Sequence, residues 1–301
     1  MKDDPVARAL GAAISESLGV KFDVTSIAPV GGGCIHAALD VSGKSQAGAR
    51  RFFAKVNDAA SAAMFEAEAD GLAALAAAGC VVVPEIVTHG HDEERAWLLL
   101  PWLELEPLAA PSAARLGLAL AAQHRVAQQR FGWGRDNFIG STPQANGWSD
   151  DWTAFWRDRR LHAQLRIAAR NRLPSRMIDR GERLAADCAA LLGGHAVAKS
   201  LLHGDLWGGN AAALEDGTPV LFDPAVHVGD READVAMTWL FGGFPRDFHD
   251  AYAAAWALDD RHVARRELYN LYHVLNHANL FAGGYVRQAE QSIERLLAEI
   301  R

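Results

Sequence analysis

The stretch LLHGDLWGGN, Leu201 to Asn210, constrains this chain more than any other feature. An apolar run ends in a glycine-rich turn that carries Asp205, and Asn210 follows five residues later. Thirteen residues beyond Asn210, a second apolar run, in PVLFDPA, ends at Asp223. A lone Asp in such a turn usually serves the turn itself, and an Asp-Pro pair is by itself a turn signal. The combination asks for more. Two carboxylates and an amide at the ends of short apolar runs meet in one cleft only if the chain doubles back. The segment 200–223 alternates apolar runs with polar turns and reads as a small hairpin.

The rest of the chain divides around that hairpin. Residues 3–18 read as a short helix, and 24–30 as a strand running into the triple glycine 31–33. Residues 34–41 and 50–57 read as two more strands, with SGKSQAGAR as turn material between them. The alanine-rich, periodic stretch 59–78 reads as a helix; strands are expected near 85–90, opened by Pro84, and at 95–100. After PWLELEP (101–107) the pattern turns helical: 112–130, 149–170, 174–193, 231–240, 246–257 and 261–300, interrupted by a Gly/Asn/Pro-rich loop at 131–148. The expected fold class is α+β and bilobal. A small antiparallel sheet with one inserted helix occupies 1–100, a connection 101–107, and a larger, mainly helical lobe 108–301. A ligand site is expected where the lobes meet.

Composition narrows the partners. With 301 residues, half of them hydrophobic, the chain can bury a substantial core. A net charge of −7 argues against duplex nucleic acid, whose phosphates call for a basic face. No apolar run reaches the ~18 residues of a membrane span. Cys34, Cys80 and Cys188 are odd in number and far apart, so neither a disulfide framework nor a structural zinc site is expected. The N-terminal MKDDPVARAL lacks the basic start and apolar core of a signal peptide, and the cytoplasm is the default compartment.

The Asp205–Asn210 interval matches the D-x-x-x-x-N spacing of the kinase catalytic loop. There one carboxylate meets the acceptor hydroxyl and one amide oxygen reaches a metal on the nucleotide phosphates. Asp223 then fits a second ligand for Mg²⁺, which prefers hard oxygen donors. His203, at the head of the loop, reads as a buried histidine that orders backbone. In APVGGGCIHAA, the residues Gly31, Gly32, Gly33, Cys34, Ile35 and His36 sit between predicted strands, where side-chain-free amides can approach phosphate oxygens. Lys55 in RFFAKVN is a charge amid apolar residues; alternation leaves its face open. Glu66 and Glu68 are both candidates to pair with it. Glu68 is preferred, because it shares a helix face with Leu72 and Leu75. Trp148, Trp152 and Trp156, at helical spacing, read as packing, and His273 and His277 as structural.

These residues carry a family resemblance. HGDLWGGN (203–210), FDPAVHVGDREADVAMTWLFGGF (222–244), FGWGRDNFIGSTPQANGW (131–148), GGGCIHAA (31–38) and FEAEADGLAAL (65–75) resemble the fructosamine kinase, or ketosamine-3-kinase, family across nearly the whole chain. These are relatives of aminoglycoside phosphotransferases within the protein-kinase-like fold. The resemblance implies ATP- and Mg²⁺-dependent phosphorylation of the 3-hydroxyl of a ketosamine, small or protein-bound, by a monomer or homodimer. In this family the 3-phosphate is unstable and eliminates, freeing the amine, so that a ribulosamine, erythrulosamine or fructosamine adduct is deglycated. It implies Asp205 as catalytic base, Asn210 and Asp223 as Mg²⁺ ligands, Lys55 and Glu68 as a phosphate-positioning pair, and the 31–36 loop as phosphate cover. It also implies backbone around Leu100, Pro101, Trp102 and Leu103 against adenine, and Trp207 stacked on the substrate. Another small-molecule kinase, acting on an aminoglycoside, choline or a sugar, is the alternative of the same fold; a catalytically silent nucleotide-binding scaffold is the alternative of another class. The chain departs from the family pattern at Gly208, where a serine is common and its loss bears on rigidity more than chemistry. It departs again at Cys34 and His36, where Ser and Asn are common. A thiol at Cys34 raises a redox switch against plain replacement of serine.

Overall fold

The computed structural model describes residues 4–31 and 35–300. Helix α1 (Pro5–Leu18) is capped by Asp4, whose carboxylate accepts from the Val6 and Ala7 amides, and is ended by Gly19 at φ 65°. It leads into a five-stranded antiparallel sheet of β1 (Asp23–Pro29), β2 (Ala37–Ser45), β3 (Gly48–Asp58), β4 (Thr88–His91) and β5 (Arg95–Pro101), ordered β1-β2-β3-β5-β4. The stretch expected to be turn between β2 and β3 is mostly strand. Ser45 pairs with Gly48, so only Gln46 and Ala47 turn the chain.

Both faces of this sheet are covered, and strand alternation decides which residue goes where. Phe52, Ala54 and Val56 of β3, with Trp97 and Leu99 of β5, pack under Leu10 and Ile14 of α1. The opposite face takes helix α2 (Ala62–Ala78), whose Phe65, Ala69 and Leu72 lie on Ala96, Leu98, Leu100 and Phe53. Lys55, one step from Ala54 and Val56, is therefore turned toward α2. Burying each of the large apolar side chains of α2 contributes roughly 1.5–3 kcal/mol, which fixes the helix that carries Glu68 against the strand that carries Lys55.

The remainder is mainly helical. Helix α3 (Ala110–His124) precedes a short hairpin, β6 (Asn137–Ile139) and β7 (Thr142–Gln144), inside the 131–148 loop. Then come α4 (Trp152–Trp156), a π-turn (Arg157–Leu161), α5 (His162–Arg170), α6 (Ser175–Asp187) and α7 (Ala189–Leu192). The helix expected over 174–193 thus breaks at Cys188. After the strands β8 (Lys199–Leu202), β9 (Ala211–Ala213), β10 (Pro219–Leu221) and β11 (His227–Asp230) the chain closes with α8 (Arg231–Met237), α9 (Arg246–Ala255), α10 (His262–Phe281) and α11 (Gly284–Glu299). The stretch expected to be helical over 261–300 forms two helices, separated at Ala282 and Gly283, both at positive φ. Trp152 and Trp156 are core residues as expected, buried with Phe155, Leu268, Tyr269 and Tyr272. Trp148 is not; it is 45% exposed. No helix among the described residues is long and apolar enough to cross a membrane.

The segment 200–223 is not one hairpin. β9 pairs with β10, whereas β8 pairs with β11, which lies beyond the expected segment. Residues 203–210 sit between these two pairs. Two backbone seams join them to the sheet side of the molecule: Glu106 exchanges both hydrogen bonds with Ala213, and the Leu221 amide donates to Val82 O. A buried cluster containing Leu75 and Val81 with Leu116, Leu120, Leu201, Leu221 and Phe248 runs across the junction.

Candidate active site

The loop after β8 is shaped from beneath by one buried carboxylate. Asp234 of α8 accepts from the His203 amide at 2.7 Å and the Gly204 amide at 2.8 Å, and bonds His124 Nε2 at 3.2 Å. Burial raises the pKa of Asp234, but the His124 contact and the backbone donors more than offset this and hold it below the usual carboxylate range. His203 is buried and neutral, its pKa lowered by desolvation. Its Nε2 donates to Phe222 O at 3.0 Å, and its Nδ1 accepts from the Asp205 amide at 3.3 Å. It ties the 203–210 loop to the strand leading into Asp223, the backbone-ordering role read from the sequence. Gly204 must be glycine: φ is 82°, and an added Cβ would lie 2.0 Å from Ala225 O.

Five of the residues singled out from the sequence meet here. Lys55 Nζ donates to Glu68 Oε1 at 2.7 Å and also contacts the Asp223 carboxylate. Asn210 Nδ2 donates to Asp205 O at 2.9 Å, to Asp205 Oδ2 at 3.1 Å and to Asp223 O at 3.4 Å. Asp223 itself sits at φ 58°, a left-handed conformation that Asp tolerates better than most residues. Burial would strip the proton from Lys55, but the facing Glu68 and Asp223 carboxylates outweigh it and hold the ammonium above its ordinary range. Asp205 is pushed up to about 7 by burial and by the charge of Asp223, against the pull of its Asn210 bond. Two carboxylates thus share the Lys55 ammonium, and Asp205 stands beside them with Asn210 as its side-chain partner.

The remaining predicted residues line the approaches. Gly31 is exposed, and Gly32, Gly33 and Cys34 lie outside the described residues, as does the redox reading of Cys34. Ile35 O accepts from Asn57 Nδ2 at 3.1 Å, and the same amide contacts His36 Nδ1 at 2.8 Å. His36 packs on Phe65 of α2, its ring centroid 4.7 Å away. Burial and the nearby Lys55 lower its pKa to about 4, so it is neutral and Nδ1 is the acceptor. Leu100 and Pro101 end β5, Leu100 with its side chain in the core under α2. The Trp102 amide donates to Arg51 O, and the Arg51 guanidinium stacks 3.6 Å over the Trp102 ring. Leu103 follows in the irregular connection.

Trp207, 36% exposed, forms one end of an aromatic wall. It meets Phe241 edge-on at 6.2 Å; Phe241 meets His277 at 4.5 Å, and Tyr285 lies 5.0 Å from His277. Sequence reading missed Phe241 and Tyr285 and took His277 for a structural residue. The available signal was the glycine pair in LFGGF: Phe241, Gly242 and Gly243 all have positive φ, a strained turn that presents a ring.

With this geometry in place, the chain matches the family model described as fructosamine kinase over residues 6–299. It is 40% identical to a "Probable ketoamine kinase" of Synechocystis over 94% of each chain. It is 36% identical to the chloroplastic protein-ribulosamine 3-kinase of Arabidopsis thaliana, covering all of this chain and 90% of that one. The provisionally assigned fructosamine-3-kinase structure from Haemophilus somnus superposes with a TM-score of 0.87 over 96% of both chains at 27% identity. On these grounds the chain belongs to the fructosamine kinase family.

Proposed function

We propose that this protein is an ATP-dependent kinase that phosphorylates the 3-hydroxyl of ketosamines, starting the release of the amine from a sugar adduct. The observation that carries this reading is the convergence of Lys55, Glu68, Asp205, Asn210 and Asp223, spread over 168 residues of sequence, on one cleft beside an exposed aromatic wall. Residues 1–100 form the nucleotide-binding lobe, 101–107 the connection and 108–301 the lobe that carries the acceptor. Backbone from Leu100 to Leu103 meets adenine, the Gly31–His36 loop covers the phosphates, and Lys55, braced by Glu68, contacts the α- and β-phosphates.

The donor chemistry fits Mg²⁺. Burial and, after it, the neighbouring Asp223 carboxylate raise the Asp205 carboxyl, and a divalent cation would neutralise the negative charge gathered here. Asp223 and Asn210 supply the hard oxygens that would hold it. When bound, Mg²⁺ neutralises charge on the phosphates. The protein's own contribution is position. Asp205 orients the acceptor hydroxyl and takes its proton as that oxygen bonds to the γ-phosphorus, while the bond from phosphorus to the bridging oxygen breaks and ADP leaves. Trp207 and its aromatic neighbours face the sugar-amine, where a protonated amine gains from ring faces.

The test incubates the protein with ATP, Mg²⁺ and matched ribulosamine and fructosamine amines, following phosphorylated product and released amine. Asp205→Asn is expected to lower kcat by about 10²–10⁴-fold, the usual range for a lost general base, with ATP binding retained. Normal turnover in that variant would remove Asp205 from its role. ATP binding without consumption of any ketosamine would instead point to a silent scaffold.

A further inference from the structure

The stretch EAEAD, Glu66 to Asp70, places three acids at alternate positions on α2. Glu68 faces Lys55. Glu66 and Asp70, one helical turn apart and so on a common face, turn instead to the loop 131–148. Trp133 Nε1 donates to Asp70 Oδ2 at 2.7 Å, and Arg135 donates to Glu66 Oε2 at 3.3 Å. Next to Asp70, Gly71 brings the backbone of α2 onto the residues just after Asp223: a Cβ there would lie 3.2 Å from Pro224 Cγ and 3.3 Å from both Val226 methyls.

Trp133 cannot drift with the helix. Its neighbour Gly132 sits at φ 105°, with Asn146 O 2.3 Å from where a Cβ would be. Gly132 exchanges both backbone hydrogen bonds with Val228 of β11, and the Trp133 amide donates to Asn146 O at 2.7 Å. Asn137, further along the loop, donates to Val226 O at 2.8 Å. The loop is therefore fastened to the strand that follows Asp223, and α2 is fastened to the loop. Of the two side-chain bonds, the exposed Arg135–Glu66 pair is worth little. The half-buried indole bond to a carboxylate is short and charge-assisted.

In kinase-like sites the helix bearing this glutamate is the part whose position controls activity. We propose that Trp133 and Asp70 are positioning residues that latch α2 to the helical lobe and hold Glu68, and through it Lys55, in place before nucleotide arrives. This rests on the phosphotransferase reading above.

The experiment compares Trp133→Phe and Asp70→Ala with Asp70→Asn, which keeps an oxygen for the indole. Three readouts are taken: KM for ATP against KM for the ketosamine, hydrogen exchange of the 62–78 amides without nucleotide, and melting temperature. Trp133→Phe and Asp70→Ala are expected to lower kcat/KM for ATP by about 10- to 100-fold, the scale of a small misplacement of catalytic groups. The ketosamine KM stays unchanged and exchange in α2 speeds up. The double variant is no worse than either single one, and Asp70→Asn recovers most of the loss. A lower melting temperature with an unchanged ATP KM and unchanged α2 exchange would reduce the bond to ordinary fold stability and overturn the proposal. Should Trp133→Phe not fold, Asp70→Ala against Asp70→Asn makes the same comparison. If the wild-type protein turns over no ketosamine, the phosphotransferase reading fails, and exchange in α2, which needs no substrate, still decides the latch.

Discussion

Within the catalytic loop, two adjacent glycines have opposite meanings. Gly208 stands out in the sequence because relatives often carry serine there. In the structure a Cβ at Gly208 would meet nothing closer than Gly243 O at 3.8 Å, so a side chain fits and its absence changes little. Gly209, unremarked in the sequence, is the constrained one: a Cβ there would lie 2.2 Å from the Trp207 ring, because the indole lies across it. Gly209→Ala is expected to displace Trp207 and raise the KM for the ketosamine several-fold, leaving the KM for ATP and the melting temperature near wild type. Steady-state kinetics with each substrate varied in turn checks this. The convergence of Asp205, Asn210 and Asp223 was legible because the loop spacing brings them together. The glycine that orients Trp207 was not, since what fills the space above it depends on a side-chain rotamer. The face taken by Lys55 was equally closed to sequence reading. Strand alternation gives two faces, and only packing under α1 and α2 chooses between them.

At the level of elements, α8 explains why GDREADVAM marks the chain so strongly. Asp230 caps the helix through the Glu232 amide, and Asp234 reaches up to the His203 and Gly204 amides. Asp234→Asn would keep one acceptor oxygen but set its NH2 against one of the two backbone donors, and a loss of about 1–3 kcal/mol is expected from the unsatisfied buried groups. The carboxyl of Asp234 is held below its ordinary 3.8. Its contribution is therefore complete above that pH and is lost as pH falls through the lower folded value. Urea unfolding of wild type and variant across pH should show the gap narrowing only in acid. The string was readable as a family marker, but an acid in an apolar helical stretch names no partner. That its partner is the catalytic loop follows from β8 pairing with β11, and the expectation of a local hairpin hid this. Nearest-neighbour pairing is the default for short strands; of the two pairs around this loop, β9–β10 obeys it and β8–β11 does not.

Across the whole molecule, a second charged network closes the helical side. His195 Nε2 lies 2.8 Å from Asp230 and its Nδ1 3.4 Å from Asp259, while Arg265 bridges Glu232 and Asp259. The Asp230 hydrogen bond raises the His195 pKa above 6.5 against the effect of burial. A raised histidine stabilises the fold fully below its unfolded value and loses that contribution as pH rises through the folded one. The stability difference between wild type and His195→Gln should thus be full below pH 6.5 and shrink as pH rises above it, in a series of paired thermal melts. The bilobal plan was legible from the switch between short-period and helical patterning near residue 101. The seams that join the halves, at Val82 and Glu106, were not, because isolated backbone bridges leave no periodic trace.

The direct run from Asp223 through Pro224 into β11 and then α8 has one more consequence. Pro224 and Val226 press against Gly71, the Ala225 amide donates to His203 O, and the residues from His227 onward are paired in β11 or helical in α8. Kinases that are switched by phosphorylation carry a long free segment at this point, and ordering it turns them on. Here the same stretch is already part of the core. Among the described residues, the stretch after Asp223 leaves no such free segment.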